Sequence, residues 1–152
     1  MKYDDMLALA DRCGLIAQEK PLWNHDGMIW DRYIAIRESL STRAEKACVL
    51  AEEIGHAATS VGDITDYTNP NAWKQEVKAR TVGYDIMIGL DGIVDAYNAG
   101  CQNRHEMAEY IGCTERYLEE AIKRYKEIYG ICQKYKGYII YFEPSLAVLK
   151  IM

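Results

Sequence analysis

Apolar residues recur at intervals of three and four positions through most of the chain, and this spacing predicts a mainly helical fold. The best specified segment runs over residues 42–63, where Thr42 and Glu45 form a capping box that fits a first helical turn. Similar patterns predict further helices over residues 3–13, 74–88, 90–98, 105–111 and 115–129.

Four short apolar runs have the length and turn-forming neighbours of β-strands instead. Residues 28–30 and 33–37 flank the polar pair Asp31-Arg32, which predicts a hairpin ahead of the helix at 42–63. Residues 138–142 and 146–149 flank Pro144-Ser145 and predict a second hairpin at the C-terminus. We therefore expect an α+β fold, mostly helical with small sheets, in a single domain covering residues 1–152.

The predicted helices at 105–111 and 115–129 are separated by Gly112-Cys113-Thr114, which gives the C-terminal part a helix-turn-helix outline. The second of these helices, with the glycine that follows it, carries four glutamates against four Lys and Arg residues. The whole chain has a formal net charge of −5. Because a DNA-reading surface normally shows a basic excess, we expect this pair of helices to be a packing unit and consider DNA binding unlikely.

Composition excludes several other classes of protein. No apolar run approaches the roughly 18 residues that a transmembrane helix needs, so we expect no membrane partner. The N-terminus carries acidic residues within an amphipathic pattern and does not resemble a secretory signal, which favours a cytoplasmic protein. Five cysteines without a C-x-x-C pair argue against a disulfide framework or a zinc knuckle.

The sequence Glu52-Glu53-Ile54-Gly55-His56 differs by one residue from the H-E-x-x-H signature of zinc peptidases. In that signature the two histidines lie on one helical face and bind zinc, and the glutamate acts as a general base. Here Glu52 stands at the first position, four residues before His56 and therefore on the same face. The same spacing also fits an exposed helix with two solvated glutamates, and the pentapeptide alone does not decide between these interpretations.

Gly55 is unusual inside a helix, because glycine lowers helix stability by about 1 kcal/mol relative to alanine. The close approach of a neighbouring element would explain why a glycine is used at this position.

Taken together, these segments resemble the ImmA/IrrE family of metallo-endopeptidases, in particular its short members from phages and mobile elements. The resemblance runs nearly from end to end and lies in residues 43–56, 62–64, 75–76, 78–80, 90–93, 106–112 and 141–146. It implies a zincin-like domain and zinc-dependent cleavage of a regulatory protein, most typically a helix-turn-helix repressor.

The resemblance also implies roles for individual residues. Glu53 would be the catalytic base, His56 a zinc ligand, and Glu52 would occupy the place of the first ligand histidine. The third ligand in the family is an acidic residue on a following helix, for which Glu76 is the first candidate and Asp63 the second. A site with one histidine and two carboxylates should bind zinc less selectively than a site with two histidines. The alternative function is therefore a zincin-like module with weakened metal binding that recognises a phage regulator without cutting it.

Overall fold

The computed structural model describes residues 2–59 and 70–151 and divides the chain into two compact units, Met1–Met87 and Ile88–Met152. Helices predominate, and each unit contains one small three-stranded sheet. The predicted α+β class is confirmed. The expectation that residues 1–152 form a single domain stays a prediction.

Along the chain, the first unit consists of a helix, three short strands that form a small sheet, and two long helices. Its elements are α1 (Lys2–Arg12), β1 (Ile16–Lys20), β2 (Gly27–Trp30), β3 (Tyr33–Arg37), α2 (Arg43–Thr59) and α3 (Pro70–Met87). The strand order is β1-β3-β2, with β1 parallel and β2 antiparallel to β3. The predicted β2–β3 hairpin is confirmed, whereas β1 was not predicted because its sequence, IAQEK, shows no buried alternating face.

Helix α2 begins at the predicted capping box. The backbone N–H of Glu45 donates to the Thr42 hydroxyl oxygen at 3.1 Å, and that hydroxyl donates to the Glu45 carboxylate at 3.1 Å. Further along the helix, Leu50 and Ala51 are fully buried. Because α2 contacts α1, α3 and the strands β2 and β3, it is the central element of the first unit.

The second unit consists of three helices followed by a sheet. Its elements are α4 (Gly89–Asn98), α5 (Arg104–Ile111), α6 (Glu115–Tyr129), β4 (Cys132–Tyr135), β5 (Tyr138–Tyr141) and β6 (Ala147–Lys150). The helix-turn-helix outline of α5 and α6 is present. Gly112 ends α5 in the left-handed conformation with φ 90°, and the Thr114 hydroxyl caps α6 by accepting from the N–H of Tyr117.

The predicted C-terminal hairpin is extended by one strand. Strand β4 pairs with β5 through the two-residue turn Lys136-Gly137, whose φ angles of 47° and 85° are those of a type I′ hairpin turn.

Among the described residues, no helix is both long and apolar enough to cross a membrane.

Candidate metal centre

Three side chains of the first unit converge on one point. Glu52 and His56 project from α2, and Glu76 projects from α3. The Nε2 atom of His56 lies 3.4 Å from the Oε2 atom of Glu76 and 4.0 Å from the Oε1 atom of Glu52. One donor atom from each residue lies within 4.8 Å of the others, so the group could hold a metal ion.

Glycine in the middle of α2 allows α3 to come this close. A β-carbon added to Gly55 would overlap the carbonyl oxygen of Ala79 and lie 3.2 Å from the backbone nitrogen of Gly83. The backbones of α2 and α3 therefore contact each other at Gly55, next to His56. Ala79 lies three residues after Glu76 on α3, so the same contact brings Glu76 to the histidine. This is the close approach that the sequence predicted for Gly55.

The burial of these donors fits a bound cation. His56 and Glu76 are only 7% and 2% exposed. The Oε2 atom of Glu76 and the Nδ1 atom of His56 are buried and have no hydrogen-bond partner within residues 2–59 and 70–151. A buried carboxylate oxygen without a hydrogen bond is costly, and coordination of a metal ion would remove that cost. Three nitrogen and oxygen ligands with a further position open are typical of catalytic zinc sites.

The carboxyl group of Glu53 lies beside this cluster and is strongly perturbed. Burial, and then the charges of Glu52 and Glu76, raise the pKa of Glu53 to about 8. A β-carbon added to Gly27 would lie 3.2 Å from the Oε1 atom of Glu53, so strand β2 passes directly beside the carboxyl group. The closest atom to that β-carbon would be a side-chain methyl of Val49, at 2.5 Å, so Gly27 leaves space for both Val49 and Glu53. This role of Gly27 is not visible in the sequence, because the segment before β2 has the composition of an ordinary turn.

Arg80 places a positive charge beside the carboxylates of the site. Its Nε atom lies 3.1 Å from the Oε1 atom of Glu76 and 3.8 Å from the Oε1 atom of Glu52. Burial alone would lower the pKa of Arg80, but the charges of Glu76 and Glu52 outweigh burial and raise it. Arg80 was part of the family resemblance without a site role. Its position four residues after Glu76 is the signal that could have revealed the ion pair.

The structure thus brings together four of the five predicted site residues, namely Glu52, Glu53, His56 and Glu76. The fifth, Asp63, lies outside the described residues.

No protein-family model, curated protein or solved structure matches this chain. The resemblance to the ImmA/IrrE family therefore stays a prediction, carried by the residues quoted from the sequence.

Proposed function

We propose that the protein is a zinc-dependent endopeptidase of the ImmA/IrrE type that cleaves a regulatory protein of a phage or mobile element in the cytoplasm. The observation that carries this proposal is the convergence of Glu52, His56 and Glu76 within 4.8 Å of one another. The buried Glu53 carboxyl group beside them supplies the acid–base group that such chemistry requires.

Each residue of the cluster has a distinct role in this proposal. The carboxylates of Glu52 and Glu76 and the Nε2 atom of His56 would hold the zinc ion. Zinc supplies Lewis acidity there, which polarises a peptide carbonyl and makes water more acidic. Glu53 accepts a proton from the attacking water at its carboxylate and returns that proton to the leaving amine. Its pKa of about 8 belongs to the metal-free site, and the positive charge of a bound cation would lower that pKa toward the range of a base.

In this proposal, strand β2 would present a peptide substrate to Glu53. It is an edge strand in the order β1-β3-β2 and passes Glu53 at Gly27. An extended peptide that pairs with an exposed strand edge gains main-chain hydrogen bonds regardless of its sequence. A segment of a helix-turn-helix repressor bound in this way would have its backbone close to the acid–base group.

Metal content tests the proposal directly. We expect about one zinc ion per chain in the purified, tag-free protein, and a loss of most of that zinc in Glu52→Ala, His56→Ala and Glu76→Gln, because each change removes one of three ligands. Mass spectrometry of the native protein measures the stoichiometry. Glu127→Gln, on α6, is the control and should keep its zinc. An unsubstituted protein that takes up no stoichiometric metal in excess zinc would contradict the proposal, and cleavage of a co-expressed repressor is the next assay.

Glu52 also supports the second candidate function, a module that binds the regulator without cutting it. A carboxylate at this position makes the ligand set harder and less selective for zinc than the histidine of H-E-x-x-H would. We therefore expect Glu52→His to tighten zinc binding by at least about tenfold, which is about 1.4 kcal/mol, measured by competition with a chromogenic chelator. An unchanged zinc affinity would remove the main argument for the binding module. A protein that binds the repressor, with or without zinc, and leaves it intact would favour that module.

A further inference from the structure

A positive charge already lies against the candidate metal site. The Arg80 guanidinium is within 3.1 Å of one Glu76 oxygen and 3.8 Å of one Glu52 oxygen. Both carboxylates also face the Nε2 atom of His56. Because arginine stays protonated in proteins, the same carboxylates that would bind a metal ion are paired with a permanent cation.

We propose that Arg80 is an internal competitor of the metal ion: it pairs with Glu52 and Glu76 in the metal-free protein and is displaced when the ion binds. This inference rests on the proposed metal site and assigns a regulatory element to it. The affinity for metal then depends on how easily Arg80 leaves, so a bound protein or peptide that draws Arg80 away would raise that affinity.

Arg80 is the group that can move. The side chain of Glu76 is 3% exposed and that of His56 is 9% exposed, whereas the side chain of Arg80 is 45% exposed. The Arg80 guanidinium also lies 5.8 Å from the ring centre of Trp73, which is half exposed. Trp73, Glu76 and Arg80 follow one another at helical spacing on α3, so the guanidinium can leave the carboxylates while it keeps its contact with the Trp73 ring and without entering the core.

The electrostatic cost of retaining Arg80 is substantial. A unit positive charge held about 4 Å from a divalent ion would weaken binding by at least about tenfold even with the screening of bulk water, so a bound ion favours the displacement of Arg80. Removing the charge should therefore tighten metal binding, because the ion no longer has to break the ion pairs of Arg80 with Glu76 and Glu52. A residue that only oriented the two carboxylates would have the opposite effect, because its loss would leave the ligands less well placed.

The test is the zinc dissociation constant of Arg80→Gln, measured by competition with a chelator. We expect binding about tenfold tighter than in the unsubstituted protein, which corresponds to the loss of about 1.4 kcal/mol of ion pairing that the metal would otherwise have to break. Lys78→Gln is the matched control, since Lys78 is an exposed cation on the same helix and its loss changes the net charge equally. The control should change the dissociation constant by less than about twofold, because solvent screens an exposed charge. Arg80→Lys keeps a cation at the site and should bind zinc with nearly the affinity of the unsubstituted protein.

A second variant tests the same idea without altering Arg80. Trp73→Leu removes the aromatic face against which the guanidinium can settle more closely than its present 5.8 Å once it leaves the carboxylates, and should weaken zinc binding by about twofold to fivefold. Zinc binding by Arg80→Gln that is equal to or weaker than that of the unsubstituted protein would overturn the competition and leave the metal site intact. Absence of zinc binding in both proteins would instead overturn the metal site and the proposed function with it.

Discussion

Replacing Glu53 with glutamine should lower peptide cleavage by at least about a hundredfold, because glutamine cannot accept the proton that a general base removes. The same change should make the metal-free protein more stable at pH 8. Glu53 is 9% exposed, and its burial beside two other acids raises its pKa to about 8. Loss of activity together with a gain in stability is the behaviour expected of a side chain kept for chemistry and not for folding.

The pH dependence of this stabilisation follows from the two pKa values of Glu53. The folded-state pKa is about 8 and the usual value is 4.5, so between these pH values the unfolded chain binds fewer protons than the folded one. The contribution of Glu53 is fully present below pH 4.5 and is lost as the pH rises through 8. Unfolding by urea in the presence of a chelator should give similar stabilities for the two proteins near pH 4.5. At pH 8.5 the variant should be more stable by about 4 to 5 kcal/mol, because each unit of difference between the folded and unfolded pKa corresponds to about 1.4 kcal/mol.

Exposed carboxylates supply the control for this experiment. Glu109 lies on α5 with its side chain 74% exposed, so Glu109→Gln should change the free energy of unfolding by less than about 0.5 kcal/mol at both pH values. A stability difference between Glu53→Gln and the unsubstituted protein that does not vary with pH would mean that Glu53 ionises like a solvated carboxylate. Its assignment as the acid–base group would then lose its structural support.

The part of the site that lies on α2 could be predicted because helical periodicity alone places it. Residues 52, 53 and 56 have fixed angular positions once the capping box at Thr42 starts the helix. The third ligand could not be chosen in the same way, since it depends on how α2 and α3 pack together. The glycine at position 55 indicates that some element comes close, but local sequence patterns do not encode that the element is α3 or that the contact is with Ala79.

The strands and the helix start that were not predicted from the sequence lack the local signals that would identify them. Strand β1 has mostly exposed side chains, and strand β4 reads CQKY, so neither shows the apolar alternation that identifies a strand. Helix α3 begins at Pro70, four residues before the predicted start, because proline is readily accepted in the first turn of a helix. Gly27 contributes only the space that its missing side chain leaves, and such a contribution becomes visible once β2 is placed against Glu53.

Gly55→Ala is expected to show how strongly the site depends on the packing of α2 against α3. In an isolated helix this change would add about 1 kcal/mol of stability. Here the new β-carbon would overlap the carbonyl oxygen of Ala79 and lie 3.1 Å from the carbonyl carbon. Since these atoms belong to the backbone of α3, they cannot move aside as a flexible side chain would, and the two helices must separate.

We expect Gly55→Ala to lose about 3 kcal/mol of stability in urea unfolding, because overpacking of a close backbone contact outweighs the gain in helix propensity. Zinc binding should weaken as well, since separating the helices moves Glu76 away from His56.

Gly92→Ala is the matched control. Gly92 also lies inside a helix, but its added β-carbon would meet only the Ile88 side chain, at an ordinary distance of 3.6 Å. That variant should be unchanged or up to about 1 kcal/mol more stable. If Gly55→Ala behaved like this control, α2 and α3 would not be in backbone contact at Gly55. The placement of Glu76 beside His56, on which the metal site depends, would then be wrong.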